Sequence, residues 1–327
     1  MSYIENAKTY TGRDLETIFF RPMLSGESAL ELGVRVLYNM PVPTTVQVWE
    51  RSGDILQKYT AAGWTGGEPA TKLQKTLSMT KVKAELGYSA ADYFSMIYEL
   101  ITNRADVNLD DLSGTELEQA ETELFKRAIA ESLRVTMWIG DPESGGEFST
   151  FEGFIKRVFQ LISEGKLTAA KTFTDLDLET VSTVIDIFDA TWNTAAEELT
   201  DMKSDGQLAF FVTSDLYHLY EKYLDSFANT EAAYIGRTEG RPTLTYHGIP
   251  LVDLHLSSYL KTTEYPKSFC LLTDRRNLVL AVNTSDFPGN EIRMWYNPDL
   301  MENRQRAIFM AGCEILDEKL VSYAYKE

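Results

Sequence analysis

Residues 113–146 read SGTELEQAETELFKRAIAESLRVTMWIGDPESGG and contain the strongest helix signal in the chain. Apolar residues recur there at helical spacing over about five turns, which predicts a long amphipathic helix with one buried stripe. The stripe consists of Leu117, Ala120, Leu124, Phe125, Ala128, Ile129 and Leu133. Residues 113–115 form a start signal, and Gly140-Asp141-Pro142 ends the helix because proline cannot continue it.

The rest of the chain mixes helical and strand-like patterns. Helical spacing of apolar residues recurs in four stretches: residues 89–103, residues 151–162, a stretch that Asp177 caps, and a stretch that Thr213 or Ser214 caps. Strands are predicted at residues 208–212, 244–247, 249–256, 269–274, 278–282 and 292–296. An amphipathic segment begins at Asn303, with a helical context near residues 310–313. Without a strict strand–helix–strand rhythm, this mixture predicts an α+β fold.

Residues 44–83 predict a long, glycine-tipped β-ribbon. Residues 44–49 alternate and are rich in β-formers, a turn follows at 51–54, and residues 55–59 can form a second strand. Glycines at 63, 66 and 67 interrupt regular structure, and alternation returns over residues 73–86. The ribbon has too few large apolar residues for a core, and a two-stranded ribbon is marginal alone. We therefore expect it to lie on its own body or on another chain.

Composition excludes several classes of protein. The 327 residues include 49 acidic and 31 basic side chains, and the formal net charge of −18 has the wrong sign for a generic nucleic-acid binder. Two cysteines are too few for a disulfide scaffold or a four-cysteine zinc module; one bridge is possible, but two buried thiols are favoured. No apolar run approaches about 18 residues, and the N-terminus lacks a signal-peptide core.

Motifs that carry chemistry are missing from the sequence. It has no nucleophile elbow, phosphate-binding loop or dinucleotide fingerprint. His218, His247 and His255 have no cysteine or carboxylate at metal-ligand spacing. Cys313 lies among apolar residues, which raise the pKa of a thiol and favour core packing. We therefore predict no catalytic residue, no cofactor and no metal site.

Charge is distributed unevenly along the chain. Residues 44–83 hold six basic and three acidic side chains, a net of +3, whereas residues 104–131 have a net of −5 and residues 174–205 a net of −8. One interpretation is ordinary solvated faces; the other is that the basic ribbon docks on the acidic helix of another copy, since complementary potentials steer and register partners. The predicted contact residues are Trp49, Lys58, Trp64, Lys72 and Lys75 in the ribbon, and Glu118, Glu121 and Glu123 on the helix.

The order of these parts resembles the major capsid proteins of tailed bacteriophages, whose fold is shared with encapsulins and the herpesvirus capsid floor. An N-terminal arm precedes a β-ribbon, and a long acidic helix ends in Gly-Asp-Pro-x-x-Gly-Gly. The supporting stretches are residues 138–146 with Phe151-Glu152-Gly153, residues 208–214, and YHGIPLV at 246–252, which is similar to a recurrent x-G-x-P-V strand of that family. The resemblance covers nearly the whole chain.

The resemblance implies a division of the chain. Residues 1–43 would be the arm and residues 44–83 the extended loop. Residues 84–175 and 257–327 would form the peripheral domain, with a spine helix at about 114–138 and with C-terminal strands and a helix. Residues 176–256 would form the axial domain.

The resemblance also implies a structural role and a set of partners. Such subunits assemble with themselves as hexamers and pentamers into an icosahedral shell that encloses double-stranded DNA, with a portal protein at one vertex. The shell would form in the host bacterial cytoplasm and become the virion capsid, with no membrane and no sequence-specific DNA contact. Because only a short arm precedes the ribbon, we expect a separate scaffolding protein or none; decoration proteins are possible partners. No acceptor asparagine matches the lysines of the ribbon, so we predict no covalent cross-links.

Two alternatives stay open at the level of sequence. The first is an encapsulin-like compartment that encloses cargo instead of a genome. The second is a cytosolic acidic α+β enzyme with an unrecognised site, although the chain lacks a paired base and nucleophile.

Overall fold

The computed structural model describes residues 8–10, 33–39, 44–50, 71–89, 116–225, 237–238, 241–242, 244–283, 291–297, 299–300 and 302–327. Within these stretches the chain forms six α-helices, two six-stranded sheets and two two-stranded sheets. One of the two-stranded sheets consists of β8 (Arg237–Thr238) and β9 (Arg241–Pro242). The fold is therefore α+β, as the sequence predicts. The predictions for residues 1–7, 55–59 and 90–103 lie outside the described stretches.

The helices differ widely in length. They are α1 (Glu116–Ile139), α2 (Phe154–Ser163), α3 (Asp175–Glu179), α4 (Thr183–Asn193), α5 (Glu197–Asp201) and α6 (Ser214–Asp225). The longest, α1, is the helix predicted from the apolar stripe. It ends at Ile139, directly before the predicted Gly-Asp-Pro stop.

One large sheet, called here the body sheet, is built around a single long strand. Its members are β1 (Lys8–Tyr10), β2 (Arg35–Tyr38), β5 (Thr80–Ser89), β13 (Leu278–Asn283), β14 (Glu291–Asn297) and β15 (Glu302–Ile315). The long strand β15 pairs antiparallel with β5 on one side and with β14 and then β13 on the other. The sheet is mixed, because β2 pairs with β13 in parallel.

The other large sheet, called the central sheet, has the order β10-β11-β7-β12-β16-β6. Its strands are β6 (Lys171–Phe173), β7 (Leu208–Val212), β10 (Thr245–Tyr246), β11 (Ile249–Asp253), β12 (Phe269–Asp274) and β16 (Val321–Lys326). A short hairpin joins β10 to β11, and its turn has positive φ at His247 (50°) and Gly248 (81°). Such values fit the mirror-image turns that join hairpin strands.

The central sheet is covered on both faces, so it separates two hydrophobic cores. Every residue of β7 is buried, and successive side chains of a strand point to opposite faces. Phe211 packs in the core that contains α1 and α2, whereas Phe210 packs in the core that contains α4 and α6. Leu271 and Leu272 of β12 divide in the same way. This double burial explains why β7 and β12 are apolar without alternation.

Tryptophan at the end of α1 joins the helix to the central sheet. Trp138 is fully buried, and its ring centroid lies 5.3 Å from those of Phe154 in α2 and Phe211 in β7. Phe125, Ile129 and Leu133 continue the same buried face along α1. The packing therefore fixes the C-terminal part of α1 on the two other layers.

Three sequence predictions are wrong in their detail. The strand expected over residues 73–86 is two strands, β4 (Thr71–Leu77) and β5, because residues 78–79 cross from the ribbon to the body sheet. The helix expected after Asp177 is broken into α3, α4 and α5; Thr174 is the N-cap of α3, and Asp177 completes its capping box. The segment from Asn303 is not helical: it is strand β15, followed by β16.

The central sheet crosses the proposed domain boundaries. β7 and β11 fall within residues 176–256, whereas β12 and β16 lie after residue 257 and β6 lies before residue 176. The two lobes that the resemblance implies would therefore share one continuous sheet. Among the described helices, none is both long and apolar enough to cross a lipid bilayer.

We predict that Trp138→Ala lowers the free energy of unfolding by about 3–5 kcal/mol, because it leaves a cavity between α1, α2 and β7. Urea denaturation followed by circular dichroism measures this loss. The control is Leu300→Ala, a side chain that is 58% exposed, with an expected change within about 0.5 kcal/mol. Equal losses in the two variants would contradict this account of the packing.

Candidate subunit interface

The ribbon is a sheet of its own, made by β3 (Thr44–Glu50) and β4. The strands are antiparallel, with Thr44 opposite Leu77 and Glu50 opposite Thr71. In this register Trp49 pairs with Lys72. Two predicted contact residues thus stand opposite each other on neighbouring strands.

The ribbon joins the body at a short segment, residues 75–79, called here the ribbon root. Leu77 is fully buried and packs with Val279 and Ala281 of β13 in a small separate apolar cluster. Leu37, Met79 and Leu316 border this cluster. Leu77, the last residue of β4, is therefore packed into an apolar cluster on the body sheet.

A glycine in β15 permits the backbone crossing at the root. A Cβ atom at Gly312 would lie 2.2 Å from the carbonyl oxygen of Ser78, far inside van der Waals contact. Only glycine allows so close an approach between β15 and the chain that connects β4 to β5.

Charged side chains surround the root and continue onto α2. The Nζ atom of Lys75 lies 3.1 Å from Oε1 of Glu318 and 3.9 Å from Oε1 of Glu314. Arg157 approaches Glu314 at 3.5 Å and Glu152 at 2.8 Å. The ribbon, β15 and α2 are thus joined by one network of ion pairs.

Glu314 is the most buried carboxylate of this network. Burial raises the pKa of Glu314, and the positive charges of Arg157 and Lys75 oppose that increase. The side chain is only 6% exposed. Removing its cations would leave a buried charge without compensation, which is costly.

Two glycines close the loop that follows α1. The amide of Gly153 donates to the carbonyl oxygen of Gly140 at 2.8 Å, and Gly140 itself donates to Thr136. A Cβ atom added at Gly140 would lie 2.3 Å from the carbonyl oxygen of Phe151, and one added at Gly153 would lie 2.7 Å from backbone atoms of α1 and the loop. The Gly-Asp-Pro motif therefore ends the helix and lets the chain return directly into α2.

Asp141 organises the charges of the same loop. Its carboxylate accepts hydrogen bonds from Lys156 at 2.6 Å, from the amide of Glu143 at 2.9 Å and from the hydroxyl of Tyr265 at 3.1 Å. Burial alone would raise the pKa of Asp141, but these hydrogen bonds outweigh it, and the pKa is lowered. The loop therefore contains a charged junction between α1, α2 and the chain that leads to β12.

Three features bear on the predicted absence of metal-binding and catalytic residues. No cluster of three or more His, Cys, Asp or Glu side chains suited to a metal lies in the described stretches. Asp253 accepts a hydrogen bond from Ser214 at 2.7 Å and lies 3.1 Å from His255. The carboxylate therefore lies between the serine and the histidine, whereas in a serine triad the histidine lies between the serine and the carboxylate. Burial raises the pKa of Cys270 to about 12 and that of Cys313 well above its ordinary value.

Solved structures share this fold, although no protein-family model and no curated protein matches the sequence. The chain aligns over 94% of its length with 97% of a chain described as "Satellite phage P4 procapsid including size determination (Sid) protein", at TM-score 0.55 and 13% identity. It also aligns over 92% of its length with 86% of a chain from Gordonia phage Cozz, at TM-score 0.51 and 12% identity. This chain has the fold of the tailed-phage major capsid proteins.

α1 spans the stretch for which a spine helix is predicted, and β3 and β4 lie in the stretch predicted as the extended loop. The predicted contact residues lie in both stretches. Trp49 and Lys72 are in the ribbon, and Lys58 and Trp64 fall outside the described residues. Glu118 and Glu121 lie in the first turns of α1.

Two predicted residues have partners within the chain. Glu123 is 59% exposed and pairs with Lys126 at 3.0 Å. Lys75 is engaged by Glu318 and Glu314 at the ribbon root. Lys81 and Lys83, which contribute to the +3 charge of residues 44–83, lie in β5 of the body sheet. The net positive charge of the two ribbon strands, β3 and β4, is therefore smaller than the +3 of residues 44–83.

Sequence reasoning missed the residues that receive the ribbon root. Glu314 and Gly312 lie in the segment that was expected to be amphipathic and partly helical, but which is β15. The continuous apolar run of residues 307–311, in which Ala307, Phe309 and Ala311 are buried, is the signal that could have identified the strand. Polar Asn303 and Gln305 on the same buried face weaken that signal.

We predict that Asp141→Asn destabilises the chain in a pH-dependent way. The pKa of Asp141 is lowered by folding, so its contribution is present above the ordinary carboxyl pKa and is lost as pH falls through the folded value. At pH near 7 the expected loss is about 1–3 kcal/mol, because Lys156 and Tyr265 lose a charged acceptor.

Urea denaturation at neutral pH and below pH about 3 measures the effect of Asp141→Asn, since the gap from wild type should shrink in acid. The control Glu147→Gln removes an exposed carboxylate from the same loop and should change little at either pH. A gap that is equal at both pH values would show that the charge of Asp141 is unimportant.

Proposed function

We propose that the chain is the major capsid protein of a tailed phage, a structural subunit that forms hexamers and pentamers and tiles an icosahedral shell around double-stranded DNA. The observation that carries this proposal is the fold match over 94% of this chain and 97% of the P4 procapsid chain. A match of nearly the whole of both chains supports a common shell-forming design.

The ribbon gives an independent physical reason for self-assembly. Its two strands form a separate sheet, and isolated two-stranded sheets are marginal in water. Of ribbon residues 75–77, whose burial the structure describes, Leu77 packs in a small apolar cluster on the body sheet. A surface on a neighbouring copy would supply further contacts to a sheet of two strands.

The charge of the chain suits an enclosed genome. A net charge of −18 disfavours adsorption of DNA to the protein, because like charges repel. We propose that the shell confines DNA without sequence-specific contacts, becomes the virion capsid, and assembles in the cytoplasm of the bacterial host. A portal protein at one vertex, a separate scaffolding protein and decoration proteins are its proposed partners. We infer no enzymatic role and no covalent cross-linking.

We also propose how neighbouring subunits make contact. The ribbon of one copy would lie on the spine helix of the next, with Trp49, Lys58, Trp64 and Lys72 facing Glu118, Glu121 and Glu123. Support comes from the acidic sequence of the first half of the helix and from the exposure of Glu123. The division into an arm, an extended loop, a peripheral domain (84–175 and 257–327) and an axial domain (176–256) belongs to this proposal.

The first test is the particle that the purified chain forms. Negative-stain electron microscopy with light scattering should reveal closed polyhedral shells, or rings of five and six subunits, from the chain alone or with its scaffolding protein. Denaturing gels should give one band at the mass of the single chain. A subunit that stays monomeric when the scaffolding protein is supplied would contradict the proposal.

The second test is a charge exchange between the ribbon and the spine helix. Lys72→Glu should reduce shell yield several-fold while the melting temperature of the subunit stays unchanged, because like charges would then face each other. Glu118→Lys combined with Glu121→Lys should restore the yield in the Lys72→Glu background.

The control for the exchange is Lys83→Glu, which makes the same change at an exposed lysine of β5 that pairs with Glu85. It should assemble as the wild type does. If Lys72→Glu assembles at wild-type yield, or if the helix reversals do not restore assembly, the proposed contact is wrong. The effect of one exposed pair is only about 0–1 kcal/mol, but it is repeated at every copy of the interface.

A further inference from the structure

Two consecutive arginines connect β12 to β13, and their surroundings differ. They begin a short 3-10 helix, Arg275–Asn277, directly after Asp274. The guanidinium of Arg276 donates to both carboxylate oxygens of Asp274, with a shortest distance of 2.6 Å, and to Asp205 at 3.2 Å. Asp274, the carboxylate nearest in sequence, is therefore already paired with Arg276.

The guanidinium of Arg275 has no such partner. Within the described stretches, no side chain accepts a hydrogen bond from it or forms an ion pair with it, and its Nε atom is buried without a partner. Burial lowers the pKa of Arg275, and no charge of the described residues contributes to that shift. The positive charge of Arg275 is therefore uncompensated in the single subunit.

The backbone holds Arg275 in place. Its amide donates to the carbonyl oxygen of Gln207 at 3.0 Å. A Cβ atom added at Gly33, just before β2, would lie 2.5 Å from Cδ and 2.9 Å from Nε of Arg275, so the aliphatic part of the side chain lies directly on the glycine. Only Nε of this guanidinium is a buried atom without a partner, so the two terminal nitrogens reach the surface. They can donate to a group outside the chain.

A partly buried cation without a counter-charge is unfavourable for the single subunit. Moving a charge out of water costs free energy unless the charge is paired and hydrogen-bonded. A guanidinium is planar, and it binds an oxyanion such as a carboxylate through two parallel hydrogen bonds. An oxyanion from another molecule would therefore complete the site at Arg275.

The surroundings favour a carboxylate over a nucleic-acid phosphate. Binding to a phosphate backbone needs clustered Lys and Arg side chains, but the adjacent Arg276 is paired with two aspartates. A second copy of the chain offers carboxylates in residues 174–205, which have a net charge of −8 and include the exposed Glu179 and Asp201. Two copies that each carry −18 also need local contacts between opposite charges in order to associate.

We propose that Arg275 is an anchor between subunits, whose guanidinium binds a carboxylate of a second copy of this chain. The inference rests on the proposed function, because it requires the chain to assemble with itself. It adds a contact at the turn between β12 and β13, away from the ribbon and the spine helix.

The first test compares subunit stability with assembly. Arg275→Met keeps an unbranched apolar side chain but removes the charge, so the melting temperature of the unassembled subunit should stay the same or rise, while shell yield falls several-fold. The control Arg276→Met leaves Asp274, which is 1% exposed, without its cation, and should lower the melting temperature by several degrees. Circular dichroism gives the melting temperature, and light scattering with electron microscopy gives the yield.

The second test identifies the partner carboxylate. Particles of the Arg275→Lys variant are assembled from equal amounts of ¹⁵N-labelled and unlabelled chain and treated with a carbodiimide, which joins an amine to an adjacent carboxylate. Mass spectrometry should find mixed-isotope peptides that link position 275 of one copy to an Asp or Glu of another. In the matched control Arg276→Lys, position 276 should link to Asp274 or Asp205 of the same copy.

The outcomes separate the anchor from the shell. If Arg275→Met assembles at wild-type yield or melts as early as Arg276→Met, or if position 275 gives no link between copies, the anchor is wrong. Retention of linear double-stranded DNA by the wild-type chain but not by Arg275→Met would assign the guanidinium to a phosphate and also overturn it. A wild-type chain that forms no particle would instead contradict the proposed shell function.

Discussion

The burial of both faces of the central sheet is the constraint on which the rest of this structure depends. Because β7 and residues 269–272 of β12 face a core on each side, they are apolar throughout, and layers must cover both faces. The α1 and α2 layer and the α4 and α6 layer supply that cover. The buried carboxylates Asp274 and Glu314 are paired with Arg276 and Arg157.

The ribbon is not part of the central sheet or of the body sheet, and the proposed assembly rests on this separation. The body has two cores of its own, whereas β3 and β4 form a separate two-stranded sheet whose root residue Leu77 packs in a third, small cluster. A two-stranded sheet is marginal alone, so further contacts with a neighbour would stabilise it. Its attachment is nevertheless specific, because this cluster, a glycine contact at Gly312 and ion pairs at Lys75 fix where it leaves the body. Under the proposed function, the subunit would fold first and form its lateral contacts later.

Much of the fold could be predicted from the sequence where pattern and burial agree. The long helix α1 and the buried strand β7 were both predicted. Within the predicted stripe of α1, Phe125, Ile129 and Leu133 are buried, but Leu124 and Ala128 are exposed. Prediction failed where long-range pairing overrides the local pattern. β15 has polar Asn303 and Gln305 on its buried face, so only its partners β5, β13 and β14 make it a strand. The ion pairs of Lys75 with Glu314 and Glu318 were also missed, because these partners lie 239 and 243 residues further along the chain, beyond the reach of local pattern. The contact of Lys75 with another copy stays a prediction.

The central claim is that the ribbon finds its missing contacts on another copy of the chain. A cryo-electron microscopy map of the assembled particle tests it most directly, because it shows where each ribbon lies. The account predicts that the ribbon of one subunit crosses the spine helix of its neighbour, with Lys72 within ion-pair distance of the acidic residues in the first turns of that helix. A ribbon that folds back onto its own body, or that projects into solvent without touching a neighbour, would contradict the account.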